Sequence, residues 1–175
     1  MKKSLALITA LVMALTLLTA CGKGEPENVL ADKSLEEILA AVYEEHTPEF
    51  PLVDVPVDLS DETAAAYYTG LSKEDSGKVK EALASESAMG SQAYSLVLLR
   101  LNDAADADSI ASAVKDGIDP RKWICVEADD LRVSAHGDVV MLAMISSEFA
   151  DSVTAEQLTE SFKNVAGGSL SVDLE

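Results

Sequence analysis

The stretch Asp119–Asp130, "DPRKWICVEADD", gathers most of the side chains in this chain that could do chemistry. It holds the only Trp, one of the two Cys, an Arg-Lys pair and a knot of acids, Glu127, Asp129 and Asp130. Paired carboxylates do acid–base work when their surroundings push their pKa values apart. A thiol such as Cys125 is a nucleophile only as a thiolate, in a positive and accessible setting. Trp beside Arg is a common make-up of interface anchors. Each residue also has a plainer use. The acids suit a solvated strand end, and Cys125, between Ile124 and Val126, suits a buried strand as a small hydrophobe. Trp123 fills a core or forms a binding edge, and the sequence leaves both open. Arg121, Lys122 and Trp123 are therefore the candidate edge for a partner or ligand.

Nothing else supplies a catalytic constellation. A nucleophile needs a base in reach, and the chain has only His46 and His136. His46 closes an acidic helix, and His136 falls in a turn beside Gly137. No nucleophile elbow, zinc pair or phosphate loop is present. "DAADAD", Asp103–Asp108, lacks the central Gly and distal Glu of a calcium loop. Acids opening a helix explain it better. The expectation is no catalytic residue, no metal and no cofactor.

The second Cys stands in a different context. "MKKSLALITALVMALTLLTAC" opens on Lys2 and Lys3, runs through an apolar core and reaches small residues before Cys21. That is the plan of a secretory leader. Leu18-Thr19-Ala20-Cys21 resembles the lipobox of bacterial lipoproteins, in which the Cys takes a diacylglycerol and the leader is cut before it. Residues 1–20 are expected to be a signal peptide, 21–33 a flexible tether, and 34–175 a single domain. The chain would sit on the outer, extracytoplasmic face of the cell membrane, held by lipid on Cys21. The formal charge is −18, and losing a leader with two Lys and no acid takes it to −20. Such a surface excludes nucleic acid as a partner, because that binding leans on Lys and Arg.

The elements that must position these residues follow from periodicity. Ser34 and Glu37 form a capping box, and Leu35, Ile38, Leu39 and Val42 share one face of a helix over 35–45. "PEFPLVDVPVDLS" reads as an extended connector, since its prolines cannot sit in a central ladder. Ser60 caps a short second helix that Gly70 stops. Residues 77–89 fit a helix or a strand. Ala93–Asn102 is a strand. A helix with Ile110, Ala111 and Val114 inward ends at Gly117 and Pro120. "KWICVEA" reads as a buried strand, and Leu131–Ala135 and "VVMLAMI" flank a Gly137 hairpin turn. Thr154 and Gln157 make a second capping box for the last helix. The fold class is α+β: a small antiparallel sheet of about four strands with helices packed on one face.

"AAAYYTGL", "SQAYSLVLLRLND", "DPRKWICVEADDLRVSAHGDVVMLAMIS" and the final helix together resemble a family of small lipoproteins. That family is catalogued as a domain of unknown function and is frequent in gut-dwelling Gram-positive bacteria. The likeness covers roughly Tyr67 to Phe162. It implies a strand over 77–89, offers no catalytic residues, and implies an accessory role beside a surface acyltransferase. The functional expectation is a lipid-anchored, non-enzymatic binding or accessory protein of the cell surface. Its partner would be an extracytoplasmic protein or a surface polymer. The alternative is an enzyme or enzyme subunit modifying cell-wall or exported polymers.

Overall fold

The computed structural model describes residues 28–175. The leader, Cys21 and the first part of the tether lie outside the described residues. In chain order the elements are α1 (Leu35–Glu45), β1 (Leu52–Pro56), α2 (Glu62–Thr69), α3 (Lys73–Ser76), β2 (Val79–Ser87), β3 (Tyr94–Leu101), α4 (Ala107–Gly117), β4 (Asp130–His136), β5 (Val139–Ile145), α5 (Ala155–Val165) and β6 (Val172–Leu174). One open antiparallel sheet joins the strands in the order β1-β2-β3-β5-β4-β6.

The α+β class with an antiparallel sheet holds, but two finer expectations are corrected. The sheet has six strands, because β1 and β6 add an edge on each side. The "PLVDVP" connector is itself β1, paired with β2 from Leu52↔Ser87 to Pro56↔Leu83. Its proline sits on an edge strand, where an absent N–H costs no ladder bond. Helices also cover both faces, not one. Leu35, Ile38, Leu39 and Val42 of α1 and Leu158 and Phe162 of α5 pack on one side. Ile110, Ala111 and Val114 of α4 pack on the other. The reason lies in β3 and β5, where every residue is buried. A strand apolar on both faces needs cover on both. Each Leu, Ile, Val or Met so covered contributes about 1.5–3 kcal/mol of burial.

Local signals place the helix ends. Both capping boxes form, Ser34 with Glu37 and Thr154 with Gln157. The cap of α2 is Asp61, not Ser60; Ser60 instead donates to Asp58 at 2.6 Å. Gly70 ends α2 with φ +73, and a Cβ there would strike the backbone of Gly117 and Ile118. The ends of α2 and α4 therefore touch backbone to backbone, which only glycine permits. Residues 77–89 resolve as strand β2. Among the described residues no helix is long and apolar enough to cross a membrane.

Candidate functional site

The stretch after α4 is where the sequence reading and the structure part. Trp123–Val126 are not a buried strand. Residues 121–129 form a surface loop, and pairing begins only at Asp130. The loop is closed at its neck, where the Ala128 amide donates to the Pro120 carbonyl at 2.9 Å. Asp119 Oδ1 accepts from the Arg121 amide at 2.9 Å and turns the chain at the entry. At the tip Ile124 is 81% exposed. Cys125 is exposed with φ +65, so the small buried hydrophobe expected there is not found. A side chain other than glycine in that region carries backbone strain.

Lys122 is the residue that holds the loop down. Its side chain is 2% exposed, so it is no part of an open edge. Its Nζ donates to Glu86 Oε1 at 2.7 Å and to Ser95 Oγ at 3.1 Å, while the Ser95 hydroxyl donates to the same Glu86 oxygen at 2.6 Å. Three rings surround the ammonium: Tyr67, Trp123 and Tyr68 have centroids at 4.9, 5.1 and 5.4 Å. Cation–π attraction of this kind is strongest where water is excluded. Burial pulls the Lys122 pKa below its ordinary value, and Glu86 opposes that without cancelling it. Sequence reasoning missed Tyr67, Tyr68, Glu86 and Ser95 as parts of this site. The available signal was weak: an adjacent Tyr pair and an adjacent Lys-Trp pair, far apart in the chain.

The three acids point three ways. Glu127 Oε2 accepts from Arg121 Nε at 2.5 Å, both side chains being exposed. Asp129 accepts from the amide and the hydroxyl of Ser147, both at 2.6 Å, and these bonds lower its pKa. Asp130 turns to the other face and accepts from the Ala155 amide at the start of α5, at 2.9 Å. A proton-sharing pair needs carboxylates that face each other, and these do not.

What the loop does form is a cleft of about 590 Å³ against the turn at Ser147–Phe149, with Arg121, Trp123, Cys125, Glu127, Asp129 and Ser147 among its walls. Of the candidate edge, Arg121 and Trp123 reach the cleft and Lys122 lies beneath them.

A second buried cation occupies the opposite end of the β4–β5 hairpin. The Arg100 side chain is 6% exposed. It donates to Asp138 Oδ2 at 2.8 Å, to the Lys33 carbonyl at 2.6 Å and to the Leu30 carbonyl at 3.3 Å, and its Nε pairs with Glu81 Oε1 at 3.3 Å. Asn28 donates to Asp138 Oδ1 at 2.8 Å and lies so tightly over Gly137 that a Cβ there would strike its amide. Burial raises the Asp138 pKa, but Asn28 and Arg100 outweigh it and hold the carboxyl below its usual range. Residues 28–33, expected to be the end of a tether, are thus clamped to the domain, with Leu30 fully buried.

Neither histidine lines the cleft. His46 is the C-cap residue of α1, and its Nδ1 lies 2.8 Å from the buried Ser161 Oγ. That hydroxyl donates to the Gln157 carbonyl, so the pair ties α1 to α5 and offers no free nucleophile. His136 ends β4 instead of lying in the turn and is 3% exposed. Its Nε2 has no partner among the described residues. Of the Asp103–Asp108 acids, Asp103 caps the short 3-10 turn that leads into α4, accepting from the Ala105 amide at 2.9 Å, while Asp106 pairs with Lys78 at 3.2 Å and makes no cap to α4. Among the described residues no group of three His, Cys, Asp or Glu is placed to hold a metal ion. No family model, no curated protein and no solved structure matches the chain.

Proposed function

We propose that this chain is a lipid-anchored binding or accessory protein of the extracytoplasmic face, without catalysis of its own, and that it takes its ligand in the Trp123 cleft. The leader ending in Leu18-Thr19-Ala20-Cys21 supports the anchor. The observation that carries the binding reading is the pinned loop. Lys122 holds it from below and Asp129 holds its end, while Trp123 and Arg121 stand at an open cleft. A preset loop binds without first being ordered, which spares the entropic cost of ordering it on association. The carboxylates there already have partners, which favours recognition over acid–base work. A surface polymer or an extracytoplasmic protein suits such a cleft, and the likeness to small lipoproteins of Gram-positive gut bacteria adds a role beside a surface acyltransferase.

Two variants of the full chain test the reading. Cys21→Ala is expected to release the protein from membranes; a variant that still pellets with them and keeps its leader ends the anchor reading. Trp123→Ala is expected to lose capture of solubilised cell-wall polymer while still folded, with a melting temperature lowered only by the loss of its ring over the Lys122 ammonium. Undiminished capture, or a loss that merely follows unfolding, removes Trp123 as a binding residue.

A further inference from the structure

We infer that the clamp at Arg100 turns the β4–β5 turn toward the membrane and the Trp123 cleft away from it. The cleft would then meet soluble or wall-borne groups, not headgroups of the bilayer that holds the chain. This rests on reading Cys21 as the lipid-bearing residue.

The N-terminal segment is fixed at Asn28, which sits on Gly137 and donates to Asp138. Arg100 grips the next residues through the Leu30 and Lys33 carbonyls, so the point where the chain leaves the domain does not wander. The cleft lies at the other end of the same hairpin, beside Asp129 and Ser146, where Asp130 pairs with Ile145. Eight Cα steps separate Asp129 from Gly137, which along a strand is about 26 Å. Six residues, Gly22–Glu27, separate Cys21 from Asn28. Even fully extended, that connection spans at most about 25 Å. A cleft facing the bilayer would lift Asn28 a strand length above the lipid and demand a taut chain. A turn facing the bilayer demands nothing.

The test uses the full lipidated chain on phosphatidylcholine–phosphatidylglycerol vesicles that carry a headgroup quencher. One dye goes on native Cys125, at the cleft. Another goes on residue 169, exposed near the turn, in a chain carrying Ser169→Cys and Cys125→Ser. Quenching is expected to be at least about twofold stronger near the turn, given the strand length between the two ends. Equal or reversed quenching on vesicle-bound protein overturns the inference. Wild-type chain that stays off the vesicles defeats the anchor reading itself and this inference with it. Asn28→Ala with Asp138→Ala, added to each labelled chain, is expected to narrow the difference. An unchanged difference removes the Asn28–Asp138 contact as its cause.

Discussion

Lys122 and Arg100 are both buried cations, Lys122 paired with the carboxylate of Glu86 and Arg100 with those of Asp138 and Glu81, and they sit at opposite ends of the sheet. They solve opposite problems. Lys122 belongs to a loop and reaches into the sheet, where Glu86, Ser95 and three aromatic rings receive it. Arg100 belongs to a central strand and reaches out, where Asp138 and two backbone carbonyls receive it. The residue types fit the tasks. A guanidinium offers five donors in a planar fork and can serve several acceptors at once. An ammonium is a compact charge that fits among rings. In each case burying a charge is tolerable only because its partner is fixed in place. This fold attaches irregular chain to its core with one buried cation per attachment.

The largest expected effect lies at the Arg100 end. Arg100→Met leaves Asp138 and Glu81 without their shared charge partner and strips donors from the Leu30 and Lys33 carbonyls, so it should cost about 3–5 kcal/mol. Urea unfolding of the soluble domain measures it, and a cost near zero would show that the segment 28–33 is held by Leu30 burial alone. Lys122→Met should cost somewhat less, about 2–3 kcal/mol, because Glu86 keeps the Ser95 hydroxyl as a donor. The sole Trp, Trp123, should shift its emission to the red as the loop lifts. Adding Glu86→Gln should return at least about 1 kcal/mol, since the stranded charge is what costs most. If the double variant is no more stable than the single, the ammonium–carboxylate pair is not what holds the loop.

pH separates the two ends with a smaller effect. Asp138 is held below its usual pKa, so its contribution is present above the unfolded value near 4 and is lost as pH falls through the folded one. Asp138→Asn should therefore flatten the acid limb of stability, by under about 1 kcal/mol because solvent at this part-exposed group screens its charge. Lys122 acts at the other extreme. Its lowered pKa means the unfolded chain holds the proton longer, so its contribution rises with pH toward the free lysine value near 10.4. Tyr43, pushed up to about 12 by burial, acts against it above pH 10. Melting curves taken from pH 3 to 6 isolate the first effect. An acid limb unchanged by Asp138→Asn would assign that limb to other carboxylates.

What was legible differs sharply between the two ends. Neither buried cation announces itself, since Arg100 sits within "LVLLRLN" and Lys122 beside Trp123, and both positions suit a solvated charge just as well. Their partners lie 36 residues away for Glu86 and 38 for Asp138. The apolar trio Ile124-Cys125-Val126 misled for a related reason. A short apolar run predicts burial only if something covers it, and here Ile124 crowns an open loop. β1 and β6 were hidden because edge strands are short and take their identity from the neighbour they pair with.

The sequence by itself determined what is decided within a few residues. Capping boxes at Ser34 and Thr154, the helix stop at Gly70, the hairpin turn at Gly137 and the double-sided burial of β5 are all set by local sterics, hydrogen bonding and periodicity. Only the tertiary structure decided which charges are buried, which face each helix covers, and that Tyr67, Tyr68, Glu86 and Ser95 meet Lys122. A charge enters the interior only where distant groups have already assembled to receive it, and that assembly is a property of the closed fold, not of any segment.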